Sequence, residues 1–156
     1  MIFVTCGTQL PFDRLIRAMD EIAPRIGEEI IAQCLRGKYI PCNIKVSDYL
    51  CATEYMDIMS RARLIVSHAG AGTIISALVQ KIPIIVMPRL ASLGEHRNGH
   101  QIFAADKFEE LKYIYVAHDT LQLFNLIQNI GTRCRRELGD SASNRLILSL
   151  KEFLMD

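Results

Sequence analysis

At 156 residues the chain is long enough for one domain with a substantial core. Half of its residues are hydrophobic, 22% are charged, and 18 basic side chains stand against 17 acidic ones, for a net charge of +1. That is the balance of a globular protein, and it gives no overall pull toward nucleic acid or an acidic surface. Five cysteines (Cys6, Cys34, Cys42, Cys51, Cys134) form no C-x-x-C pair. An odd, scattered set argues against a disulfide framework and a zinc site, and for reduced thiols. No apolar run approaches the roughly 20 residues of a membrane span, and Met1 opens directly on a strand pattern with no basic segment before it. The expectation is a cytoplasmic protein without a signal peptide.

Ile2 to Cys6 is a short apolar run closed by Gly7 and reads as a buried strand. Phe12, Leu15, Ile16 and Met19 then recur at helical spacing after Pro11, and Pro24 with Gly27 end that helix. Glu29 to Cys34 reads as a second strand and Ile44 to Leu50 as a third. Tyr55, Ile58, Met59 and Ala62 form a helical stripe with Thr53 as N-cap. Leu64 to Ser67 is the fourth strand. Ile75, Leu78, Val79 and Ile82 form the next stripe, and Pro83 to Met87 the fifth strand. A long loop runs from Arg89 to about His100, followed by a helix over Ile102–Leu111 and a sixth strand over Tyr113–Val116. Asp119 with Gln122 resembles a capping box ahead of a helix over Leu121–Ile130. Leu146, Ile147, Leu150, Phe153 and Leu154 mark a C-terminal helix at about 142–155, preceded by a basic cluster of Arg133, Arg135 and Arg136. That cluster reads as a solvated helix face or as a patch facing phospholipid.

Strands alternating with helices predict an α/β fold: one Rossmann-like, doubly wound parallel sheet of about six strands, occupying residues 1–156 as a single domain. In such a sheet the loops leaving the strands' C-terminal ends share one edge, where ligands bind. In the usual 3-2-1-4-5-6 order the loops after strands one, four and five are neighbours. These are Gly7-Thr8-Gln9, His68-Ala-Gly-Ala-Gly-Thr73, and Arg89 to Gln101. The second is a strand, a tight glycine turn and a helix start. Outward-facing amides and the helix dipole make such a turn an anion cradle, and His68 adds a side chain on the same rim. The turn lacks the third glycine and the ribose-binding acid of a dinucleotide fingerprint, and no Gly-Lys-Ser/Thr makes it a P-loop. Its reading is a diphosphate site. In the third loop, Glu95 and His96 are a candidate carboxylate–imidazole pair, and His100-Gln101 open a helix where side chains can meet sugar hydroxyls. His96 and His100 have i, i+4 spacing, but Gly99 interrupts it and only Glu95 lies near, so no metal site is expected.

Four segments resemble one known family: Ile2-Phe-Val-Thr-Cys-Gly-Thr-Gln9 with Pro11-Phe-Asp-Arg-Leu15, Ser67-His-Ala-Gly-Ala-Gly-Thr73, Pro88-Arg89, and Gly94-Glu-His-Arg-Asn-Gly-His-Gln101. The family is the C-terminal domain of family 28 glycosyltransferases. The resemblance is greatest to its small-subunit branch, the PssE-type exopolysaccharide subunits and the soluble subunit of the dolichol-linked N-acetylglucosamine transferase. It covers nearly the whole chain.

The resemblance implies the C-terminal half of a GT-B glycosyltransferase, the half that binds the UDP-sugar donor. His68 with Ala69, Gly70, Ala71, Gly72 and Thr73 would hold the diphosphate. Gly7, Thr8 and Gln9 would contact phosphate or sugar from the first loop, with Arg89 in the third. His100 and Gln101 would contact the sugar. Glu95, beside that pair, would orient the loop, and His68 and Glu95 are the candidate catalytic residues. Many relatives grip the ribose with a Glu where this chain has Ser76, a shorter and uncharged partner. The implied partner is a membrane-associated acceptor-domain subunit that recruits the chain to the cytoplasmic face. The implied acceptor is a polyprenyl-diphosphate-linked sugar, and the transferred group is a hexose or N-acetylhexosamine for exopolysaccharide or glycan precursor synthesis. The reaction would invert the anomeric centre with no cofactor and no metal. A non-catalytic nucleotide-binding or assembly subunit of a membrane complex is the alternative.

Overall fold

The computed structural model describes residues 1–97 and 99–132. The basic cluster at Arg133–Arg136 and the expected C-terminal helix lie outside the described residues. Chain order gives β1 (Ile2–Thr5), α1 (Asp13–Ile26), β2 (Ile30–Gln33), β3 (Lys45–Ser47), α2 (Ala52–Arg61), β4 (Leu64–Ser67) and α3 (Ala71–Val79). Then follow β5 (Ile84–Val86), a 3-10 turn at Ala91–Leu93, α4 (His100–Glu110), β6 (Tyr115–Val116), α5 (Thr120–Asn129) and a 3-10 turn at Ile130–Thr132. The six strands form one sheet in the order β3-β2-β1-β4-β5-β6, and every pairing is parallel. The expected α/β sheet and its order are therefore what the chain forms.

Continuous burial of β1, β4 and β5 explains their apolar runs, because helices cover both faces. Alternate residues serve opposite layers. Ile2, Val4, Leu64, Val66 and Ile85 pack with Leu15, Met19 and Ile22 of α1 and with Leu123 and Ile127 of α5. Phe3, Ile65, Ile84 and Val86 pack with Met59 of α2, Ile74 and Ala77 of α3, and Phe108 of α4. Each fully buried aliphatic or aromatic side chain stabilises the fold by roughly 1.5–3 kcal/mol. Parallel strands under two helical layers leave their C-terminal ends on one open edge, and the three polar loops meet there.

Several local expectations are corrected. The N-cap of α2 is Cys51, not Thr53, and the Glu54 carboxylate accepts from the Cys51 amide at 2.9 Å. The buried stripe of α3 is Ile74, Ala77 and Leu78, while Ile75 and Val79 are exposed. Pro24 lies inside the last turns of α1 rather than ending it, and Gly27 closes the helix at φ 69°. Strand β3 is shorter than expected because it is the sheet's edge, with Lys45 and Ser47 exposed.

Candidate functional site

Helix α3 supplies the centre of the site. Its N-cap is Gly70, no side chain caps it, and no acidic residue stands in its first turn. The first bond inside the helix runs from the Ile74 amide to the Gly70 carbonyl at 3.1 Å. The amides of Ala71, Gly72 and Thr73 thus have no partner within the helix, and the dipole adds positive potential at the same end. Gly70, Gly72 and Thr73 of this helix start line a cavity of about 300 Å³ at the ends of β1, β4 and β5.

All three expected loops reach this cavity. Gly7, Thr8 and Gln9 line it from the first loop, His68, Gly70, Gly72 and Thr73 from the second, and Arg89 and Gln101 from the third. Of the other expected residues, Ala69 is buried beneath the turn, Ala71 is the first residue of α3, and Ser76 lies a turn further along it. Ala69, Ala71, Ser76 and Glu95 are not among the described lining residues. His100 is the first residue of α4, and its side chain is outside the description.

The imidazole of His68 is packed between two glycines. A Cβ at Gly70 would lie 2.4 Å from its Nε2, and one at Gly7 would lie 3.1 Å from its Cε1. Gly7 also holds φ at 73°, a conformation that favours glycine. The Gly70 site therefore makes room for the histidine as well as for a ligand, which the sequence reading had not foreseen. Burial and the charges of Arg89 and His96 pull the His68 pKa down to about 4, against the nearby Thr5 carbonyl, which favours the charged ring.

Arg89 is a strut. It is 2% exposed. Its guanidinium donates to the carbonyls of Pro11 at 2.7 Å, Leu10 at 2.8 Å and Cys6 at 3.1 Å, and stacks 4.4 Å above the Phe12 ring. Its own amide donates to Gln101 Oε1 at 3.1 Å. One side chain thus fixes the first loop to the third, with its hydrogen bonds directed at main chain. Burial pushes the Cys6 thiol up, so it stays protonated under the first loop.

Glu95 has both carboxylate oxygens engaged. Arg14 donates from Nε at 2.8 Å and from Nη2 at 2.9 Å, and the Leu90 amide donates at 2.8 Å. Burial favours its neutral acid, but these hydrogen bonds outweigh it and hold the carboxyl below its usual range. Its geometry is that of a brace that folds the third loop back on α1. Arg14, which the sequence reading passed over, also donates to the Pro88 carbonyl at 2.6 Å. The signal was present: a cation in the first turn of a helix opposes the dipole and calls for a partner. Cys6, Leu10 and His96 are further lining residues.

A larger hollow of about 470 Å³ lies at the ends of β2 and β3, between α1 and the loop after β2. It presents the carboxylates of Asp13 and Asp48 beside Arg36 and apolar walls. Asp13 there occupies the first turn of α1, whereas no carboxylate is among the described residues lining the smaller cavity, so the smaller cavity is the one suited to an anion.

The family description "Glycosyltransferase family 28 C-terminal domain" matches residues 1–147. The chain belongs to this family. No curated protein matches it significantly. Among solved structures, the family 28 domain resembles ALG13, with a TM-score of 0.60 and 23% identity over 96% of this chain and 93% of that one. It also resembles the glycotransferase of kitacinnamycin, with a TM-score of 0.62 and 15% identity over 97% of this chain but 37% of that one. A third is the glycosyltransferase SsfS6 of Streptomyces sp. SF2575 in complex with thymidine diphosphate, with a TM-score of 0.52 and 18% identity over 97% of this chain and 40% of that one. At these identities the likeness is one of fold. The chain spans about two-fifths of the last two proteins. No helix among the described residues is long and apolar enough to cross a membrane.

Proposed function

We propose that this family 28 domain binds the UDP-sugar donor of an inverting glycosyltransferase and works with a separate acceptor-domain subunit. The observation that carries this reading is the uncapped α3 N-terminus, where Gly70, Gly72 and Thr73 line, beside His68, a cavity without a carboxylate among its described lining residues. A family assignment over residues 1–147 supports it, as does a diphosphate nucleotide in the complex of one structural relative.

In this reading the acceptor hydroxyl attacks the anomeric carbon from the face opposite the leaving group. The bond from that carbon to the β-phosphate oxygen breaks, its electron pair stays on the phosphate, and the hydroxyl proton passes to a base. Negative charge grows on the diphosphate, where fixed amides and His68 stabilise it more than they stabilise the bound donor. Arg89 and the Arg14–Glu95 pair hold the first and third loops in register. Gln101, whose Oε1 is committed to the Arg89 amide, offers its amide nitrogen to the sugar. The base belongs to the partner's side, because Glu95, the carboxylate of the third loop, is committed to Arg14. The acceptor is a polyprenyl-diphosphate-linked sugar at the cytoplasmic membrane face.

The test is a transfer assay. The chain is combined with its membrane-associated partner, a panel of UDP-sugars and a lipid-diphosphate-sugar acceptor. His68→Ala should lower turnover at least about a hundredfold, as loss of one oxyanion-stabilising donor does, with unchanged thermal unfolding. Near wild-type turnover in that variant would refute the assignment.

A further inference from the structure

The hydrogen bonds around His68 determine which ring nitrogen carries its proton. Ser67 Oγ lies 2.9 Å from the Thr5 carbonyl oxygen. That oxygen only accepts, so the single hydroxyl proton of Ser67 is committed to it. Ser67 Oγ also lies 3.3 Å from His68 Nδ1. With its proton committed elsewhere, the hydroxyl meets Nδ1 as an acceptor, and Nδ1 bears the hydrogen. A neutral imidazole has one such proton, so Nε2 is bare. Nε2 is the atom nearest Gly70 at the mouth of the glycine turn.

A bare nitrogen facing a diphosphate sets lone pair against lone pair. It becomes a donor only by gaining a proton. We propose that the site takes its diphosphate with His68 as the imidazolium, so that each donor molecule bound brings one proton from solvent onto Nε2. The inference rests on the donor-site reading and specifies the charge state of that site. It also changes His68 from the fixed donor of the sequence reading into one that forms on binding.

The surroundings set the sense of the coupling. Arg89 at the end of β5 and His96 in the third loop disfavour the imidazolium, the Thr5 carbonyl at the end of β1 favours it, and Cys6 beside them is a neutral thiol. Arg14 and Glu95 neutralise each other. In the empty site, burial together with Arg89 keeps the ring neutral down to about pH 4. A bound diphosphate offsets Arg89 and accepts from Nε2, and both effects raise the pKa. Between the free value near 4 and the higher bound value, affinity falls as pH rises, by up to about tenfold per unit for one proton. Below and above that window it is flat.

A UDP-sugar is the right probe, since its diphosphate is esterified at both ends and titrates nowhere near neutrality, unlike that of UDP. The experiment titrates UDP-glucose and UDP-N-acetylglucosamine into the full chain. Calorimetry in buffers of different ionisation heat counts the protons, and nitrogen-15 spectra of the imidazole locate them. The expected result is a free ring with Nδ1 protonated and Nε2 bare, a bound ring with both protonated, and close to one proton taken up at about pH 5.5. Affinity should then fall at least about tenfold across roughly pH 5–8. His68→Gln, whose amide donates without gaining a proton, should bind with an affinity flat over the same range. An Nε2–H tautomer in the free chain, or donor binding with no proton uptake, overturns the proposal and leaves the donor site standing. No binding of either sugar nucleotide at any pH overturns the donor site and the proposal with it.

Discussion

Gly70 and Gly72 stand two residues apart in one turn yet serve different ends. A Cβ at Gly70 meets His68 Nε2, whereas one at Gly72 meets nothing within 4 Å. Gly70→Ala should therefore swing the imidazole out of the cavity and weaken donor binding at least about tenfold, by loss of a charge-assisted hydrogen bond. Gly72→Ala should leave the ring in place and stabilise α3 by up to about 1 kcal/mol, the helix preference of alanine over glycine. Urea unfolding and donor titration of the two variants check the pair. Equal effects on binding would mean that His68 plays no part in it. Sequence pattern showed the glycines but not their separate roles. Which neighbour a missing Cβ would strike depends on a ring rotamer, and that is set by Ser67, Thr5 and Gly7 together. The same limit hid the commitment of Glu95, whose partner Arg14 lies 81 residues away.

At the scale of elements, α1 does more than cover the sheet. Its Asp13 accepts from the Lys38 amide at 2.9 Å, and its buried Asp20 accepts from the Asn43 amide at 2.6 Å, the Cys42 amide at 3.0 Å and the Tyr39 hydroxyl at 2.8 Å. Two carboxylates seven positions apart thus fasten the loop between β2 and β3. Burial favours the neutral acid of Asp20, but the hydrogen bonds from Asn43, Tyr39 and Cys42 prevail and hold its pKa below 3.8. The stabilisation is present above that value and is lost as pH falls through the lower folded-state value. Asp20→Ala should cost about 2–3 kcal/mol, because it strands three donors at once. Denaturant unfolding near neutrality measures it, and the difference from wild type should shrink on acidification below about pH 3.8. Strands and most helices were legible because buried parallel strands read as continuous apolar runs. The edge strand and the caps were not. The register of α3 was misread by one position because Ile74, Ile75, Leu78 and Val79 are apolar on both sides of the buried stripe, so hydropathy alone does not pick the face.

At the scale of the molecule, the order β3-β2-β1-β4-β5-β6 places the ends of β1, β4 and β5 side by side and turns three separated sequence motifs into one site. That convergence was legible from alternation alone, since a parallel doubly wound sheet gathers its strand-end loops on one edge. The braces beneath it were not legible, because Arg89 and Arg14 act through main-chain carbonyls that no side-chain pattern records. The central claim is that the diphosphate sits on the glycine turn and not in the larger hollow beside β2 and β3. The direct measurement follows the backbone amides of the nitrogen-15-labelled chain while UDP is added. The account predicts saturable shifts at Gly7, Gly70, Ala71, Gly72 and Thr73, weakened at least about tenfold in His68→Ala as a charge-assisted hydrogen bond is lost. Shifts confined to Leu35, Tyr39, Ile44 and Val46, or none at the glycine turn, would contradict it.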